Sequence, residues 1–224
     1  MTKTLIAIPA FNEELFLKAV LLDIFTQVDK ENVLVIDDGS TDNTSRVATE
    51  MGVGLITHRR NLGKGEAILS AIRYAVESGY KWILTLDGDG QHSPVWIRDF
   101  RVLIETDRYD VILGNRMDRT RSMPLHRFLS NGVTSIIVSL CAGNQRIHDS
   151  QCGFRAWRVS CVDPEDYFSS GFQFETEMLL RTGKAAYRIG EVAISTHYGR
   201  ENSSMQLFAD TLRFILLVLK SFFW

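Results

Sequence analysis

Apolar runs of strand length alternate with helix-length segments from the start of this chain, and each apolar run ends in a polar cluster. Thr4 to Pro9, Val33 to Asp37, Val53 to Thr57, Trp82 to Leu86 and Val111 to Gly114 read as strands. Between them, Glu13 to Val28, Asp42 to Met51, Lys64 to Ser78 and Val95 to Glu105 read as helices. The first carries an apolar stripe at Leu17, Val20, Leu21 and Ile24. Ser40 or Thr41 is placed to cap the second, which Gly52 closes, and Gly79 closes the third. This alternation predicts an α/β fold, a mostly parallel central sheet with helices on both faces. A length of 224 residues with 45% hydrophobic content suits one domain with a sizeable core and a small appendage.

In such sheets ligands bind beyond the carboxyl ends of the strands. The polar clusters fall there: residues 9–13, 37–40, 58–61, 87–91 and 114–116. Asp87-Gly88-Asp89-Gly90-Gln91 is the most telling, because it closes a buried apolar run. Carboxylates in that position need compensation, and the glycines allow a sharp turn. Two hard oxygen ligands on a tight turn suit Mg²⁺ or Mn²⁺, which keep positions for substrate phosphates. An ordinary Asp/Gly turn competes with this reading. An EF-hand does not, since its sixth and twelfth positions would be His92 and Arg98. Gly63-Lys64-Gly65 precedes Glu66, so there is no P-loop, and Ile68 replaces the third glycine of a dinucleotide fingerprint.

The formal net charge of -2 gives no electrostatic case for nucleic acid. Cys141, Cys152 and Cys161 are odd in number and lack metal-ligand spacing, which reads as free thiols in a reducing compartment. The N-terminal run is too short for a signal peptide. Residues 115–142 change character. Arg116, Arg119, Arg121 and Arg127 feed an apolar helix over Phe128 to Cys141, with Leu129, Val133, Ile136, Ile137 and Leu140 at helical spacing. Leu212 to Trp224 is also strongly apolar, yet shorter than the ~20 residues that span a bilayer. Both segments read as interfacial elements, with core helices as the competing reading. The expected division is a catalytic domain over 1–203 and an apolar helix over 204–224, interfacial or opening a membrane segment.

Five blocks together resemble a known family. They are Ile8 to Glu14, Val35 to Asp42, Asn61 to Gly65, Asp87 to His92, and Asp149-Ser150-Gln151-Cys152-Gly153-Phe154-Arg155. The set is similar to family 2 glycosyltransferases of the GT-A fold, in the branch of dolichol-phosphate mannose and glucose synthases. The resemblance runs to about Arg200. It implies that Pro9, Phe11 and Glu13 line a nucleotide pocket, with Asp37 or Asp38 on the base or ribose. It implies a metal motif of Asp87 and Asp89 with Gln91 adjacent. Arg116 and Arg127 would hold a lipid phosphate, with Ser130 or Asn131 near Arg127. Lys64 and Arg200 would add charge at the donor diphosphate. Gly88 stands where relatives often have Ala, and residues 197–203 depart from their Gly-Glu-Ser-Lys ending, so His197 is an alternative contact there.

The implied reaction is an inverting, metal-dependent transfer of a hexose from a UDP- or GDP-sugar to a polyprenyl phosphate, with Asp89, Arg116 and Arg127 in the catalytic roles. A phosphate monoester ionises near pH ~6 and needs little help from a base. It needs cationic clamps instead, for which Arg side chains are suited. The expected place is the cytoplasmic face of a membrane, held peripherally or through the C-terminus, with homo-oligomerisation left open. One alternative is a family 2 transferase acting on a saccharide hydroxyl, in which Glu175 or Glu177 is the base and Asp149 shares the ambiguity. Another is a non-catalytic binding subunit.

Overall fold

A computed structural model describes residues 2–117, 123–143, 145–167, 169, 171, 173–196 and 207–223. Among these, seven strands form one sheet: β1 (Thr4–Ala10), β2 (Val33–Asp37), β3 (Gly54–Thr57), β4 (Trp82–Thr85), β5 (Val111–Asn115), β6 (Arg155–Arg158) and β7 (Ile189–Ala193). Their order is β3-β2-β1-β4-β6-β5-β7. All pairs are parallel except those of β6, which runs antiparallel between β4 and β5. The parallel strands therefore end on one edge, and β6 begins there, with Arg155 opposite Thr85 and Leu113. Pro9 is tolerated inside β1 because pairing to β4 stops at Ala7, so only β2 lies beside it.

The helices are α1 (Leu17–Phe25), α2 (Thr44–Met51), α3 (Lys64–Glu77), α4 (Ile97–Glu105), α5 (Leu125–Cys141), α6 (Gln173–Lys184) and α7 (Leu207–Ser221). One face of the sheet packs Leu17, Leu21 and Ile24 of α1 with Ala48, Ile97 and Phe100. The other packs Ile68 and Ile72 of α3 with Phe174 and Met178 of α6, Val138 of α5 and Leu217 of α7. Each large side chain buried this way contributes roughly 1.5–3 kcal/mol.

Several expected boundaries move, among them α1, which ends at Phe25 rather than Val28, and α5, which starts at Leu125 rather than Phe128. Helix α1 starts at Leu17 rather than Glu13, because Asn12 adopts a left-handed φ of 58° and residues 14–16 form turns. Helix α2 is capped by neither Ser40 nor Thr41. The cap position is held by Asn43 without a side-chain cap bond, and Asp42 Oδ1 just before it accepts the Thr44 amide at 2.9 Å. Helix α4 is preceded by a 3₁₀ turn over Pro94–Trp96. Gly52 closes α2 in the left-handed conformation, as expected.

Helices α5 and α7 turn apolar side chains outward. Leu129, Val133, Ile136 and Leu140 of α5 are 58–64% exposed, while Ser135 and Val138 face inward. On α7, Leu212, Ile215, Leu216 and Leu219 are exposed, and Leu217 and Ser221 are buried. No helix among the described residues is long and apolar enough to cross a membrane.

Candidate active site

The ends of β1, β2 and β3 are tied together by side chains bonding to neighbouring backbone. Asn12 Oδ1 accepts the Thr41 amide at 2.8 Å, and Ser40 Oγ accepts the Asn12 amide at 2.9 Å. Asp37 Oδ1 accepts the Ser40 amide at 2.9 Å, and its Oδ2 accepts Ser45 Oγ–H. Asp38 is more heavily engaged. It accepts the Leu62 amide at 2.9 Å and the Gly63 amide at 2.7 Å, and it contacts His58 Nδ1 at 2.7 Å. His58 Nε2 in turn meets Ser70 Oγ of α3 at 2.9 Å. Asp38 thus braces the 58–63 loop and the start of α3. Phe11, 43% exposed, leaves an aromatic face at this edge. Pro9 is buried within β1.

Asp87 and Asp89 in the turn after β4 face Glu13 from the loop after β1, and the like charges repel. Glu13 is pushed up to about 7 by burial, then by Asp89, Asp87 and Asp42. Asp89 Oδ1 accepts the Gln91 amide at 2.9 Å, which fixes the turn. Asp87 Oδ1 lies 2.7 Å from Lys64 Nζ, which also lies 3.1 Å from Glu175 Oε2. Burial works against both charges of the Lys64–Asp87 pair. The pairing prevails, so Asp87 titrates below the usual carboxylate range and Lys64 above its ordinary value. A Cβ on Gly153 would come within 2.6 Å of Asp87 Oδ2 and 2.8 Å of Lys64 Nζ, so the loop closes over the pair only because residue 153 is glycine.

Across the edge, Arg116 and Asp149 form a buried bidentate pair. Arg116 Nε donates to Asp149 Oδ2 at 2.7 Å and Nη2 to Oδ1 at 2.9 Å, with the Arg116 amide also on Oδ2 at 3.1 Å. Burial alone would raise Asp149, but the bonds from Arg116 hold it below the usual range. The Asn131 amide, with its oxygen toward Arg116, accepts from Nη2 at 3.3 Å and donates to the Arg127 carbonyl at 3.3 Å. Arg116, Asn131 and Arg127 are therefore linked at the head of α5. Ser130 is exposed, and its carbonyl accepts Thr134 Oγ1–H at 3.0 Å. Two Arg116 donors, Nε and Nη2, are thus engaged by Asp149.

Arg155 is 1% exposed and organises the loop between these halves. Its guanidinium donates to the carbonyls of Cys152 at 2.5 Å, Ser150 at 2.7 Å and Glu175 at 2.9 Å. His92 is buried against Phe154 with Thr196 Oγ1 3.3 Å away. Burial, aided by Arg116 and Lys64 and opposed by Asp87, lowers it to about 4, so it is neutral near pH 7.

Asp87, Asp89, Glu13 and Lys64 form one group, with Gln91 joined through its amide. Arg116, Asn131 and Arg127 form the other. Arg200 and His197, with Arg119 and Arg121, lie outside the described residues. Arg155 and His58 were not predicted as organisers, since nothing in a sequence marks an arginine that points inward. Asp149 and Glu175 were flagged, but their partners, Arg116 and Lys64, are 33 and 111 positions away in the chain. No cluster of three or more His, Cys, Asp or Glu able to hold a metal forms among the described residues. The donor set still fits a hard divalent ion: Asp87, Asp89 and Glu13 offer oxygen ligands only, and the two aspartates add to the burial that raises Glu13.

Residues 5–183 match the family model described as glycosyl transferase family 2. A UDP-N-acetylglucosamine–dolichyl-phosphate N-acetylglucosaminyltransferase of Methanococcus voltae is 30% identical over 85% of this chain and 84% of that protein. An undecaprenyl-phosphate mannosyltransferase of Micrococcus luteus is 28% identical over 86% and 83%. In structure, the chain is similar to glucosyl-3-phosphoglycerate synthase from Mycobacterium tuberculosis, solved with Mn²⁺, UDP and glucosyl-3-phosphoglycerate. The TM-score is 0.78 over 98% of this chain and 80% of that one, and at 18% identity this is a likeness of fold.

Proposed function

The chain belongs to glycosyltransferase family 2, and from that premise we propose that it transfers a hexose from a UDP- or GDP-sugar to a polyprenyl phosphate at a membrane surface. The supporting observation is that each carboxylate that could serve as base for a hydroxyl acceptor is ion-paired to a neighbouring cation. Asp149 is locked to Arg116, and Glu175 is paired with Lys64. Glu177 is buried, accepting from Arg181 Nε and the Ser169 amide at 2.9 Å each. A hydroxyl acceptor needs a base within hydrogen-bond reach. A phosphate acceptor, mostly ionised near neutral pH, needs only to be held.

In this reading the nucleotide lies along the ends of β1 and β2, with Phe11 offering its ring. Pro9 sets the backbone of that edge, while Asp37 and Asp38 shape the pocket through the loops they brace. Asp87 and Asp89, with Gln91 beside them, would hold a Mg²⁺ or Mn²⁺ ion, which when bound neutralises charge developing on the leaving diphosphate. Lys64 adds a fixed positive charge on the same side. Arg116, held rigid by Asp149, and Arg127, linked through Asn131, attract the acceptor phosphate at the head of α5. Ser130 is a further hydroxyl there, and Arg200 belongs to the donor side. The exposed stripes of α5 and α7 rest in the membrane interface, which brings a lipid-borne phosphate to the arginines. Residues 1–203 are the catalytic unit and 204–224 an interfacial helix at the cytoplasmic face.

The test is a transfer screen of UDP- and GDP-sugars with Mn²⁺ or Mg²⁺, with and without a short polyprenyl phosphate. Sugar should move only when the lipid phosphate is present. Transfer indifferent to that phosphate would overturn the proposal.

A further inference from the structure

We propose that Lys64 is a resident counter-cation of the donor site. It holds Asp87 until a divalent ion arrives, then stays on Glu175 and turns a freed N–H to the donor diphosphate. This rests on the donor-site reading above and adds an order of events to it.

The geometry carries the argument. Lys64 Nζ sits between two carboxylates, 2.7 Å from Asp87 Oδ1 and 3.1 Å from Glu175 Oε2, with its side chain 15% exposed. A lysine ammonium has three N–H donors and no acceptor. Giving up Asp87 therefore leaves two protons to redistribute. Glu175 has the capacity to keep the charge. Its Oε1 is buried with no hydrogen-bond partner among the described residues, and Arg155 Nε lies 3.7 Å from it. An unsatisfied buried carboxylate oxygen is costly to leave, and it gains when Lys64 moves toward it.

Charge points the same way. Asp87, Asp89 and Glu175 together carry three negative charges against the Lys64 ammonium and the Arg155 guanidinium, 3.7 Å from Glu175, so the cluster keeps a net negative charge for a cation. The backbone limits where Lys64 can go. Gly153 lies so close that a Cβ would reach within 2.8 Å of Nζ and 2.6 Å of Asp87 Oδ2. With Asp87 given over to an ion, Glu175 would be the carboxylate left beside the ammonium, 3.1 Å away. Lys64 and the metal compete for Asp87 but cooperate on the diphosphate.

Mn²⁺ titration of the full chain, read by the electron paramagnetic resonance of free Mn²⁺ without nucleotide, separates the possibilities. Lys64→Met should bind Mn²⁺ about tenfold tighter than the parent, the scale of removing one close competing charge. With Mn²⁺ saturating, the same variant should bind UDP or GDP about tenfold more weakly. Glu175→Gln, which keeps the side-chain shape if Lys64→Met destabilises the fold, should weaken Mn²⁺ binding, because Lys64 then has only Asp87. Unchanged or weaker Mn²⁺ binding in Lys64→Met, or unchanged or tighter binding in Glu175→Gln, overturns the exchange. An Asp87→Asn, Asp89→Asn variant is the separate control. If it still binds Mn²⁺ as the parent does, the metal site itself is wrong. If it loses Mn²⁺ while Lys64→Met matches the parent, the site stands and only the exchange fails.

Discussion

The proposed donor side and the proposed acceptor side of this molecule follow opposite rules of burial. At the ends of β1 and β2, polar side chains are turned inward and answered. Asp37 and Asp38 are 2% and 3% exposed, and their oxygens meet three amides, the Ser45 hydroxyl and His58, from the loops after β2 and β3 and from α2. On α5 and α7 the apolar side chains are turned outward instead. Ile136 and Leu140 are each 64% exposed, while Ser135 of the same helix is buried with its hydroxyl bonded to Ser150 Oγ at 3.2 Å. Water on both sides would not select that pattern, because contiguous exposed apolar stripes mark a surface meant for something else. The difference is the one the proposed function needs: a braced sheet edge for a small charged ligand, and outward apolar stripes for a membrane interface.

The hardest way to break the comparison is at the carboxylates. Asp87→Asn with Asp89→Asn should reduce transfer by about a thousandfold, the scale of losing a principal transition-state charge stabiliser. Vesicle binding should be untouched, because the apolar stripes lie on other elements. A variant that retains more than a tenth of parental transfer would show that the donor side does not depend on these two residues.

Gly153→Ala tests the same side through geometry rather than charge. The new Cβ would sit 2.6 Å from Asp87 Oδ2 and 2.8 Å from Lys64 Nζ, so the ion pair or the loop must shift. Displacements of about 1 Å at a reacting centre cost roughly a hundredfold in rate, and overpacking costs about 1–3 kcal/mol of stability. Steady-state transfer and chemical denaturation measure both. Full activity would mean that the pair is not confined as described.

The same contrast explains what the sequence could and could not disclose. Strands β1, β2 and β4 were legible because their residues are buried on both faces and read as continuous apolar runs. The turn at Asp87 was legible because charge at the end of such a run demands a reason. Strand β6 was not, since Arg-Ala-Trp-Arg looks like a polar loop until its arginines find partners. Arg155 bonds three carbonyls, and Arg158 reaches Asp107 and Asp110 while lying over the Trp82 ring. Strand β7 hid for a related reason: Gly190 interrupts it, yet a Cβ there would meet the Tyr109 ring at 2.8 Å. The stripe on α5 was visible as periodicity, but periodicity does not say which way a stripe faces. Pairs such as Arg116–Asp149 need the fold, because local pattern cannot join residues 33 positions apart.

Ile136→Ser with Leu140→Ser probes the acceptor side by itself. Both side chains are exposed, so unfolding free energy should stay within about 0.5 kcal/mol of the parent. Partition onto phospholipid vesicles, measured by sedimentation, should fall about tenfold or more, given roughly 1.5–3 kcal/mol per large apolar side chain buried. Nucleotide binding should not change. Lost stability with unaltered partition would make this face a packing surface and remove the asymmetry.

The smallest effect lies in the seam between the two sides. Cys152 is fully buried, with Sγ 4.0 Å from His92 Nε2, and burial pushes its thiol up to about 12. Its folded pKa is thus above that of an unfolded thiol, near ~8.5. The folded state therefore holds the proton more firmly, and this contribution to stability is complete below pH ~8.5 and declines as pH rises toward the folded value. Iodoacetamide at pH 8, read by peptide mass spectrometry, should leave Cys152 unmodified in the native chain and label it after denaturation, since alkylation requires the thiolate. Rapid native labelling would mean that the loop over the ion pair opens readily, and that the donor side is not the rigid half of the molecule.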